Sequence, residues 1–224
     1  MAVAAPAGAQ QRRDARIDRR RRRVADAALH LFATRGYNVT SVDDIVARSK
    51  TSKSAFYEFF KSKEDCFRDL LAQEGGALIH DVLAEAASGH DHHERLRRGI
   101  TRFVVSSFDR SSVARLLIVE SVGLSVGVDH VRHELQSRFA DAVAEEVRHA
   151  MLHDPFYADK DPQVFGRAVV GAVSDAVGYF LTHPGVVSDE GGVPPQRVGP
   201  GGASSRPTPL ADSLAASLCR IFAP

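Results

Sequence analysis

The chain has 224 residues, with 44% hydrophobic and 25% charged side chains and a net charge of +1, values of a globular protein with ample material for a core. Two cysteines, Cys66 and Cys219, exclude a disulfide framework and do not make a zinc site by themselves. The near-neutral charge is a sum of opposites: residues 1–63 hold 14 Lys and Arg against 6 Asp and Glu, a surplus of +8, and residues 64–224 hold 15 against 22, a deficit of −7. A basic segment joined to an acidic body points to nucleic acid or an anionic membrane as partner. Asp175 interrupts the best apolar run, Val169 to Leu181, so no membrane span is expected. The N-terminus lacks the charge-then-apolar order of a secretory signal, and a cytoplasmic protein with reduced thiols is expected.

Residues 1–17 are expected to form a disordered basic arm, followed by the Arg19–Arg23 run that leads into a helix. Val24, Ala27, Ala28, Leu31 and Phe32 follow helical spacing on one face, and Gly36 stops the helix. Thr40 or Ser41 caps a second, short helix with Asp43 and Asp44 in its first turn, where the helix dipole favours acids. Its inward residues are Val42, Ile45 and Val46. After a break at Ser49-Lys50, Thr51 or Ser52 caps a third. There Ala55, Phe56, Phe59 and Phe60 fill one side, and Lys53, Ser54, Tyr57 and Glu58 the other. Ser62 caps a fourth helix reaching about Ala87. Further helices are expected near 92–109, 112–122, 129–153, 161–183 and 209–222, the fourth of these opening on Asp161-Pro162. Six Gly and six Pro make 184–209 a loop. The expected fold is all-α, with about nine helices.

Three short amphipathic helices with a polar face left on the third make a helix-turn-helix unit. That face would lie in a major groove, with the helix N-terminus offering N–H groups to phosphate. Four of the five lysines (Lys50, Lys53, Lys61, Lys63) cluster here. The segment from Val24 to Leu71, with ALHLFATRGY, the Thr40-Ser-Val-Asp-Asp-Ile45 entry, Ser52-Lys-Ser-Ala-Phe-Tyr57 and the Phe60-Lys-Ser-Lys63-Glu exit, resembles the DNA-binding domain of tetracycline-repressor (TetR) family regulators. The resemblance implies phosphate contacts from Thr40, Tyr57 and Lys63, and base-edge contacts from Lys53 and Ser54. Ser41, Lys50, Thr51 and Ser52 complete the expected face, and Arg22 and Arg23 join it from the arm. The family's Ala-Gly turn is here Ser49-Lys50, which puts a lysine where left-handed geometry favours glycine.

By the same resemblance, 18–78 would be the DNA-binding domain with its motif at 41–60, and 79–224 an effector-binding and dimerisation domain. The central helices would enclose an effector cavity, for which Phe103, Phe108, Leu117, Phe139, Val143 and Val147 are candidates. Glycine-bearing helices near 163–183 and 209–222 would pair across a two-fold axis. No cofactor or metal is expected, only an unidentified small-molecule effector, in a homodimeric repressor of a palindromic operator.

Other readings compete. Gly123-Leu-Ser-Val-Gly127 matches the G-x-S-x-G elbow of hydrolases, which would make Ser125 a nucleophile if a strand preceded it. A nonspecific architectural DNA binder would show no sequence preference. The histidine pairs His130/His133 and His149/His153 and the run His90-Asp-His-His93 have spacings that can serve a metal, although solvated histidines are commoner.

Overall fold

A computed structural model describes residues 7–183 and 209–223. Its elements in chain order are α1 (Ala7–Arg35), α2 (Val42–Ser49), α3 (Lys53–Phe59), α4 (Lys63–Ala87), α5 (His92–Asp109), α6 (Ser111–Ala114) running into a π-helical stretch (Arg115–Glu120), α7 (Val126–Ala150), α8 (Pro162–Thr182) and α9 (Pro209–Phe222). No strand occurs among the described residues.

The arm expected to be disordered over 1–17 is helical from Ala7, as part of α1. Past Gly8 it contains neither Gly nor Pro, and its Gln, Arg and Ala are good helix formers. The expected 112–122 helix is a single α-turn followed by the π-helical stretch, and 129–153 starts earlier, at Val126, because Ser125 caps it. Of the glycine- and proline-rich loop at 184–209, all but Pro209, the first residue of α9, lies outside the described residues.

The first core joins Val24, Ala28, Leu31 and Phe32 of α1 to Ile45, Phe56 and Phe60, and closes on Phe67, Leu70 and Leu71 of α4. Leu116 and Val128 enter the same cluster from the helical body, so the head made of α1 to α3 and that body are fused through packed side chains. α4 runs unbroken through position 78 and carries that connection onward. A second core packs Leu96, Ile100 and Val104 of α5 against Val169, Val173 and Val177 of α8 and Ala215 and Leu218 of α9. At Gly166 a Cβ would collide with the Ala140 carbonyl oxygen, so this one glycine sets the close approach of α8 to α7.

Candidate nucleic-acid interface and effector cavity

The helix-turn-helix is assembled by caps. Ser41 accepts from the Asp44 N–H at 3.1 Å, and the Asp44 carboxylate accepts from the Ser41 N–H at 2.9 Å, a reciprocal capping box. The Ser41 hydroxyl also donates to the Asp44 carboxylate at 2.5 Å, and this bond first, with the Ser41 N–H second, holds the Asp44 carboxyl below the usual carboxylate range. α2 ends on Lys50 in left-handed geometry, φ 52° and ψ 48°, and Thr51 N–H closes the turn on Val46 O at 3.0 Å. The lysine therefore takes the conformation that glycine takes more readily, and its exposed side chain makes no ion pair among the described residues.

Ser52 then caps α3 by accepting from Ala55 N–H at 3.1 Å. Ala55 and Phe56 turn into the core, while Phe59 lies half-buried beneath the Arg20 guanidinium, 5.3 Å from the ring centre. The opposite face presents Lys53, Ser54 and Tyr57 to solvent, the tyrosine 55% exposed. Lys53 Nζ lies 2.8 Å from Asp43 Oδ1, and that hydrogen-bonded carboxylate raises the lysine pKa and keeps it cationic.

Two expected phosphate ligands are placed elsewhere. Thr40 is 1% exposed, and its hydroxyl donates to Gly36 O at 2.8 Å. Lys63 donates to Tyr37 O at 2.8 Å and to Thr40 O at 2.9 Å, with its ammonium 4.0 Å from the Tyr37 ring centre. The carbonyls left over where α1 gives way to a loop need donors, and these two side chains supply them. Burial accordingly lowers the Lys63 pKa. The Arg19–Arg23 run divides in the same way. Arg20 pairs with Glu58 at 2.5 Å and Arg21 with both oxygens of Asp69 at 2.7 and 2.8 Å, whereas Arg22 and Arg23 are exposed.

In the body, two adjoining cavities of about 250 and about 560 Å³ share Phe103, Phe139, Val170 and Ser174. Val143 lines the smaller and Leu117 the larger, so four of the six candidate residues face this space. Phe108 and Val147 do not: Phe108 packs into the core of α5, α8 and α9, and Val147 is buried with Ala150 and Tyr157. Each also has polar lining, Arg95 paired to Glu146 at 3.2 Å in the smaller and Arg132, Asp175 and His183 in the larger.

The π-helical stretch between cavity and head escaped sequence reading. Its Leu117, Ile118 and Val119 line the larger cavity. At one end Arg115 donates to Ala33 O of α1 at 3.0 Å and to Leu181 O of α8 at 2.7 Å, occupying the open C-terminal carbonyls of two helices at once. At the other end Glu120 accepts from Tyr37 N–H at 3.1 Å. Ser125 caps α7 and donates to Glu64 at 2.8 Å, a third tie from body to head, and helix stands where a hydrolase elbow needs a strand. Of the histidines, His92 pairs with Glu146 at 2.9 Å, the carboxylate that also holds Arg95, and His149 pairs with Glu145 at 3.0 Å. Among the described residues no three His, Cys, Asp or Glu come together as metal ligands. Cys66 is buried, and burial pushes its thiol pKa up, away from thiolate chemistry.

Residues 24–70 match the family described as bacterial regulatory proteins, tetR family. The HTH-type transcriptional activator FasR of Mycolicibacterium smegmatis is 32% identical over 100 residues, 44% of this chain and 45% of that protein. The uncharacterized HTH-type transcriptional regulator YuxN of Bacillus subtilis is 44% identical over 78 residues, 35% of this chain and 27% of that protein. The matched part thus spans less than half the length of these curated relatives. Two solved structures share the fold: the fatty acid degradation regulator FadR of Bacillus halodurans, with a TM-score of 0.74 at 13% identity over 91% of this chain and 94% of that one, and FadR of Bacillus subtilis in complex with stearoyl-CoA, 0.72 at 14% over 90% and 96%.

Proposed function

We propose that this chain, whose N-terminal segment belongs to the tetR family of bacterial regulatory proteins, is a ligand-responsive DNA-binding transcriptional regulator that acts as a homodimeric repressor. The observation that carries the reading is the outward Lys53–Ser54–Tyr57 face of α3, held by the Ser52 cap above a closed hydrophobic core. Around it, Ser41, Lys50, Thr51, Arg22 and Arg23 supply hydroxyls and cations for phosphates on either side of the groove.

The partner face lies on α8. Val164, Ala168, Gly171, Ala172, Asp175 and Tyr179 are exposed on one side of it, with Val164 67% uncovered and Gly171, Asp175 and Tyr179 also edging the larger cavity. By length and composition α8 could cross a membrane, but its opposite side, with Gly166, Val169, Val173 and Val177, is packed into the helical body. A second copy is the occupant that suits the remaining small-residue seam, with α9 alongside.

The effector reading rests on the paired cavities. The smaller is walled mostly by aliphatic and aromatic side chains and the larger adds Arg132, Asp175 and His183 to an apolar wall, which suits a long apolar molecule with a polar end, and a fatty acyl thioester is the class favoured by the fold relative solved with stearoyl-CoA. An acyl chain lying against Leu117 and Ile118 would press on the stretch that Arg115 and Glu120 fasten to the head. Operator affinity would fall through that differential contact.

Selection of bound fragments from genomic DNA, followed by titration of the recovered operator with palmitoyl- and stearoyl-CoA, tests the function. A palindromic site bound with nanomolar affinity and released by micromolar thioester is expected. Retention of fragments without a shared sequence would sink the regulator reading, and a recovered site insensitive to both thioesters would sink the effector class alone.

A further inference from the structure

α1 is longer than the core beneath it requires. Its first fully buried side chain among those described is Val24, yet the helix begins at Ala7, and between Gln11 and Arg23 only Ile17, Arg20 and Arg21 are even half-covered. At ~100° per residue, Arg12, Arg16, Arg19 and Arg23 fall within a strip about 60° wide, and at ~1.5 Å per residue that strip is about 16 Å long. All four are exposed, and among the described residues none of them forms an ion pair. Asp14 and Asp18, the acids between Arg12 and Arg23, fall off the strip, about 200° and 240° round from Arg12.

The strip has a fixed place relative to the groove-reading helix. Arg20, about 80° round from Arg12, reaches Glu58 and Phe59 of α3. Arg21, about 180° round, reaches Asp69 and Phe60 beside α4. The arginine strip therefore flanks α3 and looks away from α4. Like charges at i,i+4 weaken a helix. Two such pairs, Arg12/Arg16 and Arg19/Arg23, stand here with a single acid on their side, Asp26 one turn beyond Arg23, and no ion pair to it among the described residues, a cost that a polyanion would reverse. Only Ala15 and Ile17 offer apolar surface in this segment, which leaves no hydrophobic face for a bilayer. At ~3.4 Å of axial rise per charge on one strand, about 16 Å of helix matches roughly five phosphate steps.

We propose that the N-terminal extension of α1 is a rigid phosphate rail: Arg12, Arg16, Arg19 and Arg23 lie along the DNA backbone beside the half-site read by α3, lengthening the footprint and adding affinity that is blind to sequence. The inference rests on the DNA-binding reading above. It differs from a flexible basic tail because the helix fixes which arginines face the duplex.

The test uses the full-length protein, a 40-base-pair duplex carrying the selected operator, and a scrambled duplex of equal length. The variant Arg12→Gln/Arg16→Gln/Arg19→Gln/Arg23→Gln keeps good helix formers at every position, which far-UV circular dichroism verifies. For each lost phosphate contact, the slope of log K against log salt is expected to shrink by ~0.9, so by about 3 to 4 per subunit. Affinity for both duplexes should fall by the same factor, and the hydroxyl-radical footprint should shorten beside each half-site. Asp18→Arg, adding a cation about 100–160° round the helix from the four arginines, should leave the slope unchanged. An unaltered slope and footprint in the quadruple variant, a loss confined to the operator, or an equal gain from Asp18→Arg would each overturn the rail. A wild-type protein with no preference between the duplexes would instead defeat the regulator reading, and the slopes on scrambled DNA would still decide the rail.

Discussion

Lys63 and Lys53 are both lysines near a helix start, ten residues apart, and they do different work. Lys53 stands in solvent on the outer face of α3, whereas Lys63 lies over the Tyr37 ring and donates to two carbonyls of the loop between α1 and α2. The same residue type in the same local pattern serves either purpose, so sequence could not separate a phosphate ligand from an internal brace. The difference lies 23 to 26 residues away, in the loop carbonyls that fold back onto Lys63. The expected outcomes diverge accordingly. Lys53→Ala should leave thermal stability nearly unchanged and reduce the salt slope of operator binding by ~0.9 for one lost phosphate contact. Lys63→Ala leaves two carbonyls without their donor and should cost about 1–3 kcal/mol of stability. Its salt slope should match the parent's wherever the protein is folded. Thermal unfolding and binding measured across a salt series check both.

At the scale of elements, the local grammar of the head was readable because capping and periodicity are short-range. Ser41, Ser52 and Ser62 each start a helix, and the buried and exposed sides of α3 follow a 3.6-residue period. Phe108 and Val147 were misplaced because apolar periodicity marks an inward face without saying whether core or cavity lies there. The π-helical stretch was invisible for another reason: its wider hydrogen-bond register is imposed by what it joins, the end of α1, the end of α8 and the cavity wall. The capping box on α2 carries a pH dependence. Asp44 is held below the usual carboxylate range by Ser41, so its contribution is complete above the unfolded-state pKa of about 4 and disappears as pH falls through the lower folded value. Acid should therefore loosen α2, and Asp44→Asn, which does not titrate, should abolish that part of the pH dependence. Hydrogen exchange of the α2 amides between pH 5 and 3, measured for both proteins, decides it.

For the whole molecule, the split of charge along the sequence becomes a split in space. The basic surplus sits on α1 and the helix-turn-helix, while the acidic excess belongs to the body that holds the cavities. One head reads one half-site, so affinity for a palindrome depends on a second head joined at the right spacing. In the proposed dimer the joint is α8, whose core-facing side is occupied by Val169, Val173 and Val177 and whose other side is open along Ala168, Gly171 and Ala172. Ala172→Glu is a discriminating substitution, because the side chain is exposed in the single chain and its replacement removes nothing from the core. Placed on a two-fold seam, two carboxylates would face each other without partners, and the interface would fail through like-charge repulsion and desolvation. Sedimentation at micromolar concentration should then find monomer in place of dimer, with the helical circular dichroism spectrum kept. Loss of linkage between the heads should weaken operator binding by about 10²–10⁴-fold. The variant's binding to a duplex with a single half-site should stay near the parent's. An Ala172→Glu protein that sediments as the parent does and grips the palindrome as tightly would place the dimer seam elsewhere than on α8.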